Sequence, residues 1–327
     1  MNQESVPHRR IAGTIRSFFA LNSSMIALLA MVMLVGMGEK MAERFLPLYL
    51  MAVGGTTWAV GSLNGMDNLL SALYSFPGGY LSDLLGYKKA LIVFNLIAMV
   101  GYVIVILVPT WWAVLIGAVF FIEEDPDAGK KDRAVHLRDS IRFITPDLRN
   151  LLISDILIRF AEQIPYAFVV LWAVDRNGIT PLQFGVLTTI EMVTAMLVYI
   201  PVAILADRNT KKPFVLTTFV FFTAFPIVLY FSRSFPALCG AFVLRGLKEY
   251  GEPTRKALIM DLAPENAKAS TFGTYYLLRD LIVSVAAFGA AWLWNRGPGV
   301  NFFTAAAFGA AGTIYFAVFG RDLKSAA

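Results

Sequence analysis

Nine apolar runs, each long enough to cross a bilayer, govern what this chain can fold into. They lie near 23–50, 57–79, 90–108, 151–174, 182–205, 213–231, 235–262, 271–294 and 300–319. The hydrocarbon core of a bilayer is about 30 Å thick, so a helix rising about 1.5 Å per residue crosses it in about 20 residues. In lipid the backbone must satisfy its own hydrogen bonds, and apolar runs of this length do so as helices. Composition agrees, with 57% hydrophobic and 16% charged residues against about 25% charged in a soluble domain. The expected fold class is an all-α integral membrane protein.

A tenth run, Trp111 to Ile122, has twelve residues and reaches only roughly 18 Å. Lys and Arg cluster in cytoplasmic loops, and this bias tests whether the run crosses. With a cytoplasmic N-terminus and all ten segments crossing, inside loops collect Lys88, Lys89, Lys130, Lys131, Arg208, Lys211, Lys212 and their neighbours. Outside loops hold only Arg176, Arg233 and Arg296. Without the crossing, the basic loops 122–150 and 206–213 fall on opposite sides and the bias disappears. Both termini are therefore expected inside, in a cytoplasmic (plasma or inner) membrane. Trp58, Trp111, Trp112, Trp172, Trp292 and Trp294 then all fall at outer helix ends, where interfacial belts favour tryptophan.

The same residues narrow the chemistry. Cys239 is the only cysteine, and His8 and His136 are far apart, which leaves no expected metal site or disulfide framework. No nucleophile–base constellation stands out, so no enzyme and no cofactor are expected. The net charge of +5 follows the loops of the topology, an arrangement that argues against nucleic acid. The basic start, Met1 to Arg16, precedes an apolar segment too long for a cleavable signal.

Two inside loops repeat a pattern. GGYLSDLLGYKKAL spans Gly78 to Leu91, and PVAILADRNTKKPFVL spans Pro201 to Leu216. Each joins a helix end, a small residue, Leu, Asp, a tight turn and paired lysines. Gly86 permits a sharp turn. Asp83 and Asp207 suit nearby cations or helix N-termini. The first copy resembles the signature loop of the major facilitator superfamily, G-x-x-x-D-R-x-G-R-[KR], through Gly79, Asp83, Gly86 and Lys88, with Lys89 following. Leu84 and Tyr87 depart from it. The second copy resembles the family's degenerate counterpart through Asp207, Arg208, Lys211 and Lys212.

The resemblance implies two six-span bundles around a central cavity, but the chain is short for that. Asp207 lies 124 positions after Asp83, and six spans of about 20 residues would consume nearly all of that stretch. The expected organisation is an incomplete N-terminal bundle of about four spans (1–122), a cytoplasmic linker (123–146) and a six-span bundle (147–327). The 111–122 run would be the seam where about two spans are missing, which gives about ten segments in all.

Charged residues inside spans cost at least ~2.5–3.5 kcal/mol on insertion scales and need a reason. The first span holds Glu39, Lys40, Glu43 and Arg44, and the second holds Asp67. Asp155, Arg159 and Glu162 share one helical face at i, i+4 and i+7. Glu191 follows in the next span. Arg245, Lys248, Glu249 and Glu252 form a stripe beside Gly251 and Pro253, where a kink is expected. Arg279 and Asp280 lie midway along 271–294. Arg255, Lys256 and Asp261 are expected at the membrane interface, and the small-residue run Ala305 to Gly312 in close helix packing. The spanning charges point to a polar cavity for a small-molecule solute, a proton or both. The expected function is a proton-coupled secondary transporter working by alternating access. The alternative is a truncated, non-transporting membrane protein with a structural, interaction or sensing role.

Overall fold

A computed structural model describes Gly38 and residues 41–85, 87–120, 144–207 and 210–322. The chain divides into two units, 1–43 and 44–327, and nearly all the described residues belong to the second. Every regular element among them is helical. Residues 44–52 are α1. Then come α2 (Thr57–Leu85), α3 (Tyr87–Leu107), α4 (Trp111–Ala118), α5 (Pro146–Tyr166) and α6 (Val169–Leu171), the last running into a π turn at Trp172–Arg176. The remaining helices are α7 (Pro181–Asp207), α8 (Lys212–Phe231), α9 (Phe235–Leu247), α10 (Glu252–Leu262), α11 (Lys268–Arg296) and α12 (Pro298–Phe319).

Four described helices are long and apolar enough to cross a membrane: Pro181–Tyr199 within α7, α8, Thr271–Arg296 within α11, and α12. A fifth crossing is α5 with α6 and its π turn, bent by 43°. Segment 235–262 is divided, as Gly251 and Pro253 led one to expect, by a 3-10 turn at Lys248–Gly251. The short run beginning at Trp111 is helical over eight residues, roughly 12 Å and well short of a bilayer. Residues 121–143, with the expected linker, lie outside the described residues.

Local chemistry explains several boundaries. Thr145 caps α5 by accepting from the Leu148 amide at 3.2 Å, with Pro146 at the first position and Asp147 in the first turn, all favourable at a helix N-terminus. Pro165 marks the bend. Carbonyls at that bend accept from asparagines of other helices: Asn64 Nδ2 donates to Gln163 O at 2.9 Å and Asn301 Nδ2 to Ile164 O at 3.2 Å. Asn301 also donates to Ala290 O at 3.1 Å. At the 3-10 turn the Gly251 amide donates to Thr218 Oγ1 at 2.5 Å. Irregular backbone at membrane depth is tolerated where protein groups meet it in this way.

The helices pack through small residues. Gly309 and Gly312 of α12 face Thr223, Ala161 and Leu157 so closely that an added Cβ would lie 2.8–2.9 Å from the nearest atoms, in line with the expectation for the Ala305 to Gly312 run. On α2, Gly61 meets Ala291 and Gly65 meets the Phe288 ring of α11. Thr57 Oγ1 donates to Asn295 Oδ1 at 2.7 Å along the same line. Lys212 Nζ donates to the carbonyls of Ala317 (2.9 Å) and Gly320 (2.7 Å) at the end of α12, which is favourable for a cation at a helix C-terminus. Lys211 pairs with Asp261, so Asp261 does lie at an exposed helix end.

Two of the six tryptophans depart from the belt expected of them. Trp58, Trp111, Trp112 and Trp292 are exposed, but Trp172 and Trp294 are core residues. Trp172 stacks on Tyr230, and its Nε1 donates to Leu229 O at 3.0 Å. Trp294 stacks on Phe168 at 4.8 Å. Both fill the space that the bend after Tyr166 opens.

The α2–α11 seam gives a packing test. At Gly61 a Cβ would sit 2.7 Å from Ala291 Cβ and 3.3 Å from its amide nitrogen, whereas Gly240 meets nothing within 4 Å. Gly61→Ala should destabilise the protein by about 1–3 kcal/mol. Gly240→Ala, in an open helical position, should be neutral or stabilising by up to about 1 kcal/mol. Thermal unfolding in detergent compares the two.

Candidate functional site

Two helical stripes carry the buried charge. On α5, Asp155, Arg159 and Glu162 are spaced i, i+4, i+7. Across from them, Lys248, Glu252 and Arg255 repeat that spacing through the 3-10 turn and α10. The stripes run antiparallel and their charges alternate, so every rung joins opposite signs. Asp155 pairs with Arg255, and Glu162 with Lys248. In the middle rung Arg159 Nη2 donates to both Glu252 oxygens at 3.1 Å. Bonds along each stripe tie the rungs together: Arg159 Nη1 to Glu162 Oε2 at 2.5 Å and Arg255 Nη2 to Glu252 Oε2 at 2.6 Å.

The ladder continues into α11. Tyr275 Oη donates to Asp155 Oδ2 at 3.1 Å, and Arg279 Nη1 lies 3.6 Å from the same oxygen. Arg279 also pairs with Asp280 through Nε at 2.7 Å. Its guanidinium lies over the Tyr276 ring at 4.1 Å. A second cluster lies beside the ladder. Glu191 Oε1 accepts from Arg44 Nη2 at 2.9 Å and faces Arg245 Nε at 3.3 Å. Tyr166, carried at the bend, places its ring 4.4 Å from the Arg44 guanidinium and 5.7 Å from that of Arg245.

Where the two clusters meet there is a cavity lined by Ala161, Glu162, Tyr166, Val169, Phe222, Phe225, Arg245 and Lys248. Its volume is about 10 Å³, room for about one water. Arg245 is 2% exposed, and its Nη1 has no hydrogen-bond partner among the described residues. Three helices therefore contribute to one polar chamber: α5 with its bend, α8, and the α9 to 3-10 segment.

The structure brings together Asp155, Arg159, Glu252, Arg279 and Asp280 in the ladder, and Arg44, Glu191 and Arg245 in the second cluster. Glu249 is half-buried on the 3-10 turn and forms no ion pair among the described residues. Asp67 and Glu43 are half-buried on their own elements. Glu39, Lys40, Gly86 and Arg208 lie outside the described residues; of Gly79, Asp83, Lys88 and Asp207 only the backbone is described, and Lys89 is exposed. One expectation fails outright. Arg255 is not an interfacial anchor but 1% exposed and doubly paired, because the break at Gly251 turns α10 to face Asp155. Tyr166, Phe222, Phe225 and Tyr275 were not expected at the site; the signal for Tyr166 is the preceding Pro165, which marks the bend.

Groups of His, Cys, Asp and Glu able to hold a metal ion do not occur among the described residues. The charged groups instead neutralise one another across helices, the device by which membrane proteins keep ionisable residues at depth. The described residues form a helical protein with several helices long and apolar enough to cross a membrane, and a small chamber lined by charged and aromatic side chains lies between its helices. The Major Facilitator Superfamily family model matches residues 151–326, more than half of the chain. No curated protein matches it. The chain belongs to the Major Facilitator Superfamily, and it is a membrane transporter of that type.

Removing one partner of a buried pair leaves an uncompensated charge and costs about 3–5 kcal/mol. Arg255→Met alone should show a loss of that size. Adding Asp155→Leu should recover part of it, giving a coupling of about 0.5–3 kcal/mol in a double-mutant cycle of unfolding.

Proposed function

We propose that the chain is a secondary active transporter that carries a small solute by alternating access and couples its movement to protons. The observation that carries this reading is the charge ladder across two broken helices, α5–α6 and α9–α10, with one carboxylate left over. Asp155, Glu162, Glu191, Glu252 and Asp280 each face a cation within ion-pair distance. Glu249 does not, and it sits on the 3-10 turn between Lys248 and Glu252, with Glu162 and Arg159 of α5 as the other charges that act on it. A half-buried carboxylate without a fixed counter-ion exchanges a proton without breaking a rung of the ladder. In carriers, discontinuous helices typically form the solute and ion sites around which one part rocks against another.

On this reading the cytoplasmic (inner or plasma) membrane holds the protein with both ends inside. The first bundle (1–122) is the incomplete one, and the family match covers the second. A non-transporting role is the rival reading, and the one-water size of the cavity favours it. Purified protein in liposomes, offered a solute panel under an imposed pH gradient, separates the two. Uptake driven by the gradient is expected, and Glu249→Gln should abolish the pH drive while solute exchange persists. No flux for any solute would establish the non-transporting role.

Orientation has its own test. In a Cys239→Ser background, Arg233→Cys should react with an impermeant maleimide in intact cells. Lys89→Cys should react only after permeabilisation. The reverse pattern would invert the topology.

A further inference from the structure

We propose that the chamber binds a small organic monoanion, a carboxylate carried on an aromatic or short apolar body; this inference rests on the transporter reading above for its route across the membrane, but not for binding. The wall holds two cations, Arg245 and Lys248, against one carboxylate, Glu162. That carboxylate is already shared between Lys248 and Arg159. Arg245 engages Glu191 through Nε alone, at 3.3 Å. Its Nη1, in a guanidinium that is 98% withdrawn from solvent by its 2% exposure, has no hydrogen-bond acceptor among the described residues. A buried donor of a charged group left unmade is costly, and an anionic oxygen in the chamber satisfies it with a charge-assisted bond.

The rest of the wall sets the body of the ligand. Phe222, Phe225, Tyr166, Val169 and Ala161 surround the charged end. Phe225 lies 5.2 Å from the Arg245 guanidinium, and Phe222 lies 5.2 Å from Lys248 Nζ. These rings orient both cations and offer an apolar face to whatever the anion carries. Glu162 in the wall repels a second negative charge, so a monoanion is favoured over a dianion. At about 10 Å³ the chamber has room for about one water, enough for one oxygen of the carboxylate beside Arg245. The body enters when the aromatic wall parts, as alternation between access states requires.

The test is calorimetric titration of the full chain in lipid nanodiscs, with benzoate, the uncharged isostere benzamide, the cation benzylamine and chloride. Benzoate is expected to bind at least about tenfold more tightly than benzamide, since a charge-assisted bond is roughly twice as strong as a neutral one. Benzylamine and chloride should not compete with it. Arg245→Gln should remove benzoate binding and Arg245→Lys should restore part of it, with helix content and thermal midpoint checked for each. Equal binding of benzamide overturns the proposal without any variant. So does tight binding of benzylamine, competition by chloride at the same concentration as benzoate, no binding of benzoate, or an unchanged Arg245→Gln. Flux in liposomes keeps the two readings apart. Benzoate that binds while no solute of the panel crosses leaves this site standing and removes the transporter reading; a neutral or cationic solute carried without benzoate binding does the opposite.

Discussion

The interaction on which the rest of the described fold depends is the antiparallel charge ladder between α5 and the 248–255 segment. Six ionised groups at membrane depth would be prohibitive singly, and they are held because every rung joins opposite signs and every carboxylate has a second partner. Asp155 is met by Arg255 and Tyr275, Glu252 by Arg159 and Arg255, Glu162 by Lys248 and Arg159. Buried pairs of this kind add little net stability compared with apolar packing, but they fix register, because a slip of one helical turn brings like charges together. The ladder therefore sets how α5 and α10 face each other, and through Asp155 and Arg279 it sets α11 as well.

The break at Gly251 sets that register. An unbroken helix over 235–262 would carry Lys248 and Arg255 with the twist of a regular α-helix throughout. The 3-10 turn tightens the segment where Lys248 meets Glu162. Gly251 is needed there, since a Cβ would lie 2.5 Å from Phe214 O. The bend at Pro165 similarly carries Tyr166 into the chamber and leaves carbonyls to be met by Asn64 and Asn301. Backbone irregularity, polar side chains from neighbouring helices and the chamber itself thus occupy the same level of the bundle.

Much of this was legible in the residues. Apolar run length gives the helices, and the i, i+4, i+7 spacing of Asp155, Arg159 and Glu162 gives the charged face of α5. Gly251 with Pro253 gives the break. The partner of each charge was not legible, because pairing across helices depends on register, and register is fixed by the rungs jointly. Arg255 shows the difficulty: by position it looks like an anchor near a helix end, and only the turn at Gly251 brings it to Asp155. Trp172 and Trp294 mislead for a related reason. Tryptophan suits both an interface and an irregular core, and the bend at Pro165 made a core site for each.

The seam between α2 and α11 is of another kind. Gly61 and Gly65 lie against Ala291 and Phe288, and the Thr57–Asn295 hydrogen bond crosses it. No ion pair between these two helices occurs among the described residues. Parting it exposes methyl groups, a ring, an amide and a hydroxyl, which lipid or a few waters accommodate at modest cost; parting the ladder strands bare charges. The bundle is thus built with unequal joints, one riveted and one merely nested, and mechanical strain applied to it is relieved at the nested joint first.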